Sequence, residues 1–210
     1  NRGAGIQIIS AVDQVRELLD NPKKRTRAGF IVQKYIERPF LIRGRKFDIR
    51  CFLLLSAHPR SGKLCAHVYR EGYIRTSSTA YTLSKKSRKN KLIHLTNDGV
   101  QNKDKKYGKF EEGNKMNYEE FQDYITHTNP ERSGWVRGAM CQAIDRILMD
   151  VAVASEDTIN PNRRRNCFQL LGCDFMVTDN FEVVLIEINS NPCLEFSSPY
   201  LERLLTGLLE

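Results

Sequence analysis

The chain has 210 residues, 40% hydrophobic and 28% charged. That is enough apolar material for the core of one sizeable domain, while no apolar run approaches the ~20 residues of a membrane-spanning helix. With 33 Lys and Arg against 25 Asp and Glu the formal charge is +8, which favours an anionic partner: nucleotide, nucleic acid, anionic lipid or an acidic protein tail.

The six cysteines (Cys51, Cys65, Cys141, Cys167, Cys173, Cys193) form no CxxC pair. They predict free thiols in a reducing compartment rather than a disulfide frame or a zinc site. The sequence opens Asn1-Arg2-Gly3 with neither an initiator Met nor a signal peptide, and it is expected to be part of a longer chain.

Gly3-Ala4-Gly5 before the strand-like Ile6 to Ile9 is a candidate glycine loop over phosphates, with an ordinary turn as the plain alternative. Ser10 is a candidate N-cap for a helix over 11–19, with Val12, Val15, Leu18 and Leu19 on one face. Residues 21–27 predict a solvated basic loop. Residues 30–35 predict a strand, and Pro39 closes that segment.

Lys46, Asp48 and Arg50 alternate with Phe47 and Ile49, which puts the three charges on one strand face. The run Cys51 to Leu55 is apolar on both faces and predicts burial. Charges on a buried strand are unfavourable unless paired or ligand-bound, so this strand is a candidate ligand site. A surface strand of mixed charge is the alternative. A second strand over 67–75 ends at Arg75, where a guanidinium can read phosphate or carboxylate.

Lys85, Lys86, Arg88, Lys89 and Lys91 make 84–91 a basic loop suited to an acidic partner. His94, Thr96 and Asn97 sit among apolar residues, and His94 taken alone suits a hydrogen-bonded core histidine. Residues 103–117 predict a polar excursion or mobile loop. Helices are predicted over 118–125, 134–153 and 195–209, with a Pro/Asn/Arg loop over 157–166.

The stretch LGCDFMVTDNFEVVLIEINSNP, 171–192, predicts a hairpin turning at Asp179-Asn180. Glu187 and Asn189 lie two apart on one face, and pairing can bring Asp174 to them. Two carboxylates and an amide oxygen are hard ligands suited to Mg²⁺. Strands alternating with helices and hairpins predict α/β or α+β with a mixed or antiparallel sheet. Cations and carboxylates at the strand ends suit Mg²⁺–ATP. There is no Walker A motif and no kinase HRD or DFG set, so the nucleotide fold must be of another kind.

The segments QKYIERPFL, RKFDIR, YREGYIRTSS, HLTND, YGKFEEGNKM and the 171–192 stretch, in this order and spacing, resemble the tubulin–tyrosine ligase family of the ATP-grasp superfamily. The resemblance runs from Gly3 to about Leu205. It implies an α+β ATP-grasp fold with mixed or antiparallel sheets flanked by helices and nucleotide between two subdomains. Residues 1–35 would end the central domain and 36–210 form the carboxy-terminal domain, with an amino-terminal part absent. Gly3-Ala4-Gly5 resembles the end of the flexible phosphate-covering loop.

Residue by residue, the resemblance implies that Gln33, Lys34, Tyr35 and Ile36 form the adenine hinge and that Lys46 and Asp48 contact ribose and phosphate. Arg50 and Arg75 would face the reacting phosphoryl group and the acceptor carboxylate. His94, Thr96 and Asn97 form the next nucleotide segment, and Asp174, Glu187 and Asn189 hold the metal. The implied activity is ATP- and Mg²⁺-dependent ligation of an amino acid to tubulin through an acyl phosphate. The expected acceptor is the α-tubulin carboxy-terminus and the expected amino acid tyrosine. Glutamate or glycine ligation, or a non-catalytic tubulin-binding module, is the alternative. Thr79-Ala80 replaces a pair that is often acidic residue–Pro in the family, which leaves acceptor preference open. The resemblance implies a cytoplasmic, cytoskeleton-associated protein, without nucleic-acid or membrane partners.

Overall fold

The computed structural model describes residues 5–20 and 31–210. The first helix, α1 (Val12–Asp20), forms where the 3.6-residue stripe predicts it, but none of its residues is buried. Gln14 Oε1 folds back to accept from the Ser10 and Ala11 amides just ahead of the helix, at 2.8 and 3.3 Å. Gly3, Ala4, the 21–27 loop and Phe30 lie outside the described residues. Residues 31–36 are not a strand. No ladder partner lies beside them among the described residues, so the β-preference of Ile31 and Val32 has nothing to act on.

The centre of the fold is a sheet of β1 (Arg45–Ala57), β2 (Leu64–Ala80), β3 (Lys115–Met116), β4 (Phe168–Val177) and β5 (Val183–Asn189), in the order β3-β2-β1-β4-β5. Every pairing is antiparallel, and the class is α+β. The predicted hairpin is β4–β5. Its turn is held by the Thr178 amide on the Glu182 carbonyl at 2.9 Å.

One sheet face carries Phe47, Ile49, Cys51 and Leu53 of β1 with Ile74 and Phe175. It packs on α4 (Tyr118–Thr128) and α5 (Cys141–Ile159), through Phe121, Ile125, Ile144 and Leu148. Each such side chain contributes about 1.5–3 kcal/mol on burial. Asn117 and Glu120 cap α4 reciprocally, and a π-helical turn, Val136–Met140, leads into α5. On the opposite face, Phe52 and Tyr73 pack on Leu201, Leu204 and Leu205 of α6 (Pro199–Leu209). That helix starts later than predicted because Ser198 caps it and Pro199 takes its first turn.

Gly72 of β2 joins the two layers. A Cβ there would overlap the Tyr118 hydroxyl and lie 2.6 Å from the Arg50 carbonyl oxygen. Tyr200 of α6 donates to the Gly72 carbonyl at 2.7 Å.

Of the two expectations for 103–117 the excursion holds and the mobile loop does not, since the stretch is pinned to the sheet. Arg45 donates to Glu111 at 2.5 and 2.9 Å, and both side chains are buried. Asn114 Nδ2 donates to the Thr76 carbonyl and to Ser78 Oγ, both at 2.9 Å. Polar anchors of this kind look solvated in a sequence because their partners lie far along the chain. Stretch 84–91 is likewise ordered. Ser87 is buried and donates to the Thr82 and Ser84 carbonyls, after which α2 (Lys91–His94) and α3 (Asp98–Gln101) follow. Its lysines point outward, as expected of a basic surface loop.

Candidate functional site

Strand alternation splits β1 as predicted: Phe47 and Ile49 enter the core, and Lys46, Asp48 and Arg50 take the other face. Register then extends this face into a row of charges. Arg75 lies opposite Asp48 and beside Lys115. Arg50 lies opposite Asp174, which lies opposite Glu187. Cations thus gather toward the β3 side and carboxylates toward β5, on the end of the sheet face that α6 leaves open.

The middle of the row is buried and interlocked. Arg50 donates through Nε to Asp174 Oδ1 at 2.5 Å and through Nη2 to Oδ2 at 3.0 Å. Arg75 donates to both oxygens of Asp48, at 2.6 and 2.7 Å, and reaches Asp174 Oδ2 at 2.9 Å. Thr96 also donates to Asp48, at 2.5 Å. Burial by itself opposes the Asp174 charge, but Arg75 and Arg50 outweigh it and hold the carboxyl below its ordinary value. Burial likewise opposes the charge on Arg75, and Asp48 and Asp174 more than restore it. Among the described residues, Nη1 of Arg50 and Nη1 of Arg75 have no protein partner, and neither is a buried orphan. Both remain free to meet an anion.

Lys46 is 8% exposed. Its Nζ donates to the His94 carbonyl at 2.9 Å, stands 3.4 Å from Tyr35 Oη and lies over the Tyr35 ring. No carboxylate makes an ion pair with it among the described residues. Burial lowers its pKa to about 8, only partly countered by Asp48. A buried ammonium without an acid is a poor stability element and a good phosphate ligand.

His94 accepts from the Tyr35 hydroxyl at Nδ1, 2.8 Å, and donates from Nε2 to the Ser87 carbonyl, 3.1 Å. Burial lowers its pKa, consistent with a neutral ring. It therefore positions Tyr35 and, through it, Lys46. Asp48 and Thr96 are similarly committed to Arg75 and to each other. Gln33 and Lys34 are exposed and Ile36 half-buried on the irregular segment leading to this corner. Asn97 stands at the N-terminal end of α3 without a side-chain cap bond.

At the β5 end, Asn189 Nδ2 lies 3.2 Å from Glu187 Oε1 and 3.5 Å from Asp174 Oδ2. The three predicted metal ligands therefore converge. Among the described residues, no three of His, Cys, Asp and Glu gather into a metal cage; the set is two carboxylates and an amide. It fits a hard cation that completes its shell with water and phosphate oxygens. Glu187 is exposed, Asp174 Oδ1 holds a single partner, and a half-turn of the Asn189 amide presents its oxygen to the same point.

Three elements of this corner carried no legible signal: Arg45 with Glu111, the buried Lys115, which pairs with Asp98 at 3.0 Å, and Tyr35 as a ring beneath Lys46. A cavity of about 660 Å³ lies at the β3 edge, between Phe110–Glu112, α4 and the start of α6. It is lined by both signs of charge and by none of Arg50, Asp174 and Glu187, so the chemistry belongs to the open charged shelf.

The family model for the Tubulin-tyrosine ligase family matches residues 1–210. The chain belongs to this family. Among its relatives, Tubulin glycylase 3B of Drosophila melanogaster is 33% identical over 214 residues, covering 100% of this chain and 27% of the relative. Protein monoglycylase TTLL8 of Homo sapiens is 34% identical over 226 residues, covering 100% and 24%. Tubulin monoglutamylase TTLL4 of Homo sapiens is 29% identical over 209 residues, covering 94% and 16%. The chain thus spans about a quarter or less of the length of these tubulin-tyrosine ligase family relatives.

Proposed function

We propose that this chain carries the nucleotide- and metal-binding part of an ATP-dependent amino-acid ligase that modifies the acidic tails of tubulin. The observation that carries the proposal is the charge row. A buried Lys46 without an acid and two arginines with free Nη1 groups stand beside the convergent Asp174, Glu187 and Asn189. Lys46, Arg50 and Arg75 would bind and orient phosphate oxygens. Asp174, Glu187 and Asn189 would hold Mg²⁺, which neutralises charge on those oxygens. Gln33, Lys34, Tyr35 and Ile36 would line the base side, with Asn97 near the sugar and phosphates. Asp48, Thr96 and His94 would fix the cations in place. ATP supplies the activation that makes a carboxylate a competent acyl donor. The ATP-grasp arrangement, with nucleotide between two subdomains, belongs to this proposal.

The expected amino acid shifts from tyrosine toward glycine or glutamate, because the relatives described above are named glycylases and a monoglutamylase. Side-chain carboxylates of glutamate-rich tails are the corresponding acceptors, and association with the cytoskeleton would follow from them. The test is incorporation of labelled glycine, glutamate or tyrosine into tubulin by the full-length protein with Mg²⁺–ATP. Glycine or glutamate is expected to enter. Glu187→Gln, at an exposed position, is expected to fold normally and lose about two to three orders of magnitude in rate. Full activity of that variant would overturn the metal assignment, and incorporation of tyrosine alone would restore the first expectation.

A further inference from the structure

At the end of β1 away from the charge row, two loops distant in sequence make a second cationic surface. The β1–β2 turn brings Arg60 and Lys63, and the loop after α5 brings Arg163, Arg164 and Arg165; all five are exposed. None of them pairs with a carboxylate among the described residues, and the nearby acids are Glu156, whose carboxylate accepts from the Leu64 amide at 3.3 Å, and Asp157.

This juncture is built rather than incidental. Asn160 Nδ2 donates to the Gly62 carbonyl at 3.1 Å and to the Arg164 carbonyl at 3.0 Å, while its Oδ1 accepts from the Arg164 amide at 2.8 Å. Arg163 and Asn166 both hold left-handed backbone, at φ 46° and 61°. That conformation is unfavourable for non-glycine residues and persists only where the surroundings impose it. Gly62, at φ 68°, lies so close that a Cβ would overlap the Arg163 carbonyl. Ala57, at this turn, lies seven residue steps along β1 from Arg50, about 23 Å in an extended strand. The surface is therefore outside the proposed active site yet rigidly tied to it through one strand.

We infer that this Arg60/Lys63/Arg163–Arg165 surface is a second docking site for an acidic protein segment, gripping the substrate polymer away from the acceptor that is being modified. The inference rests on the proposed function: a polymer bearing many glutamate-rich tails offers two anionic contacts to one enzyme molecule. Engaging both raises apparent affinity through effective concentration without any new contact at the reacting end. Among the described residues, the exposed aromatic ring at the patch is Phe168, 77% exposed. One ring is not a platform on which successive bases stack, so acidic protein fits better than nucleic acid.

The test uses the full-length protein, its combined Arg163→Ala, Arg164→Ala, Arg165→Ala variant and the matching Arg→Lys variant. Each is assayed on assembled microtubules and on a short glutamate-rich peptide that spans only the active site. Exposed contacts are individually weak, so losing three is expected to raise the microtubule KM by about tenfold. The salt dependence should flatten, peptide kcat/KM should stay within about twofold, and the Lys variant should recover. An unchanged microtubule KM overturns the inference, as does an equal loss on peptide and polymer. Lost binding to duplex DNA or anionic vesicles with microtubule affinity intact would overturn it too, by assigning the patch to those partners. If the wild-type protein ligates nothing, the functional proposal fails, and cosedimentation of the three proteins with microtubules still decides the patch.

Discussion

Lys46→Met separates what the charged row does for stability from what it does for a ligand. The lysine is buried, its Nζ holds only a carbonyl and a distant hydroxyl, and burial takes its pKa from 10.5 to about 8. That fall corresponds to about 3 kcal/mol of unfavourable charge burial below pH 8. Methionine keeps the apolar stem and removes the charge, but it leaves the His94 carbonyl unpaired, which returns about 1–2 kcal/mol of the gain. The variant should be net more stable at pH 7 by about 1–2 kcal/mol, raising Tm by about 2–8 °C for a chain of this size.

The pH dependence gives the sharper check. With the folded pKa below the unfolded one, the unfolded chain binds the extra proton between about 8 and 10.5. Wild-type stability should therefore rise relative to the variant across that window. The gap should be widest below pH 8, change by about 3 kcal/mol across the window, and reverse in favour of the wild type by pH 10.5, where only the unpaired His94 carbonyl still separates the two. Calorimetry from pH 6.5 to 10.5, with and without Mg²⁺–ATP, measures both effects, and the wild type should gain more Tm from nucleotide than the variant. A variant that is less stable at pH 7, with a gap that does not change with pH, would refute the reasoning.

Two further outcomes follow from the geometry. Asp174→Asn removes the carboxylate between Arg50 and Arg75 and leaves Arg50 charged and buried without an acid. It should destabilise by about 3–5 kcal/mol, a Tm drop of about 10 °C by circular dichroism, and a drop under about 2 °C would show that water already compensates those charges. Gly72→Ala forces a methyl against the Tyr118 hydroxyl and the Arg50 carbonyl, and should lower stability by about 1–3 kcal/mol or more in denaturant titration; an unchanged midpoint would mean that β2 shifts freely there.

The parts of the fold legible in the sequence are those with a short period. Alternation over Lys46 to Arg50 gave the correct two faces, and the β4–β5 turn signal gave the pairing that brings Asp174, Glu187 and Asn189 together. The irregular 31–36 segment shows the converse, since strand preference is expressed only beside a partner strand. Glu111 was illegible for a related reason: it reads as one more loop acid until the chain returns to Arg45, 66 residues away. The site residues Asp48 and His94 carried a signal of polarity in an apolar setting. Only the folded structure shows that their atoms are already committed to Arg75, Thr96, Tyr35 and Ser87, and that they orient other groups instead of offering free ligand atoms.

Gly72 has a consequence for motion. Helices on opposite faces of a sheet ordinarily loosen independently, because the sheet between them insulates one core from the other. Here Tyr118 of α4 fills the space that a side chain would occupy, and Tyr200 of α6 holds the carbonyl of the same peptide. Displacing β2 at that point loosens both helices at once, so the two layers should open as one cooperative unit in hydrogen exchange. The open, charged end of the sheet is then backed by a body that yields all together or not at all.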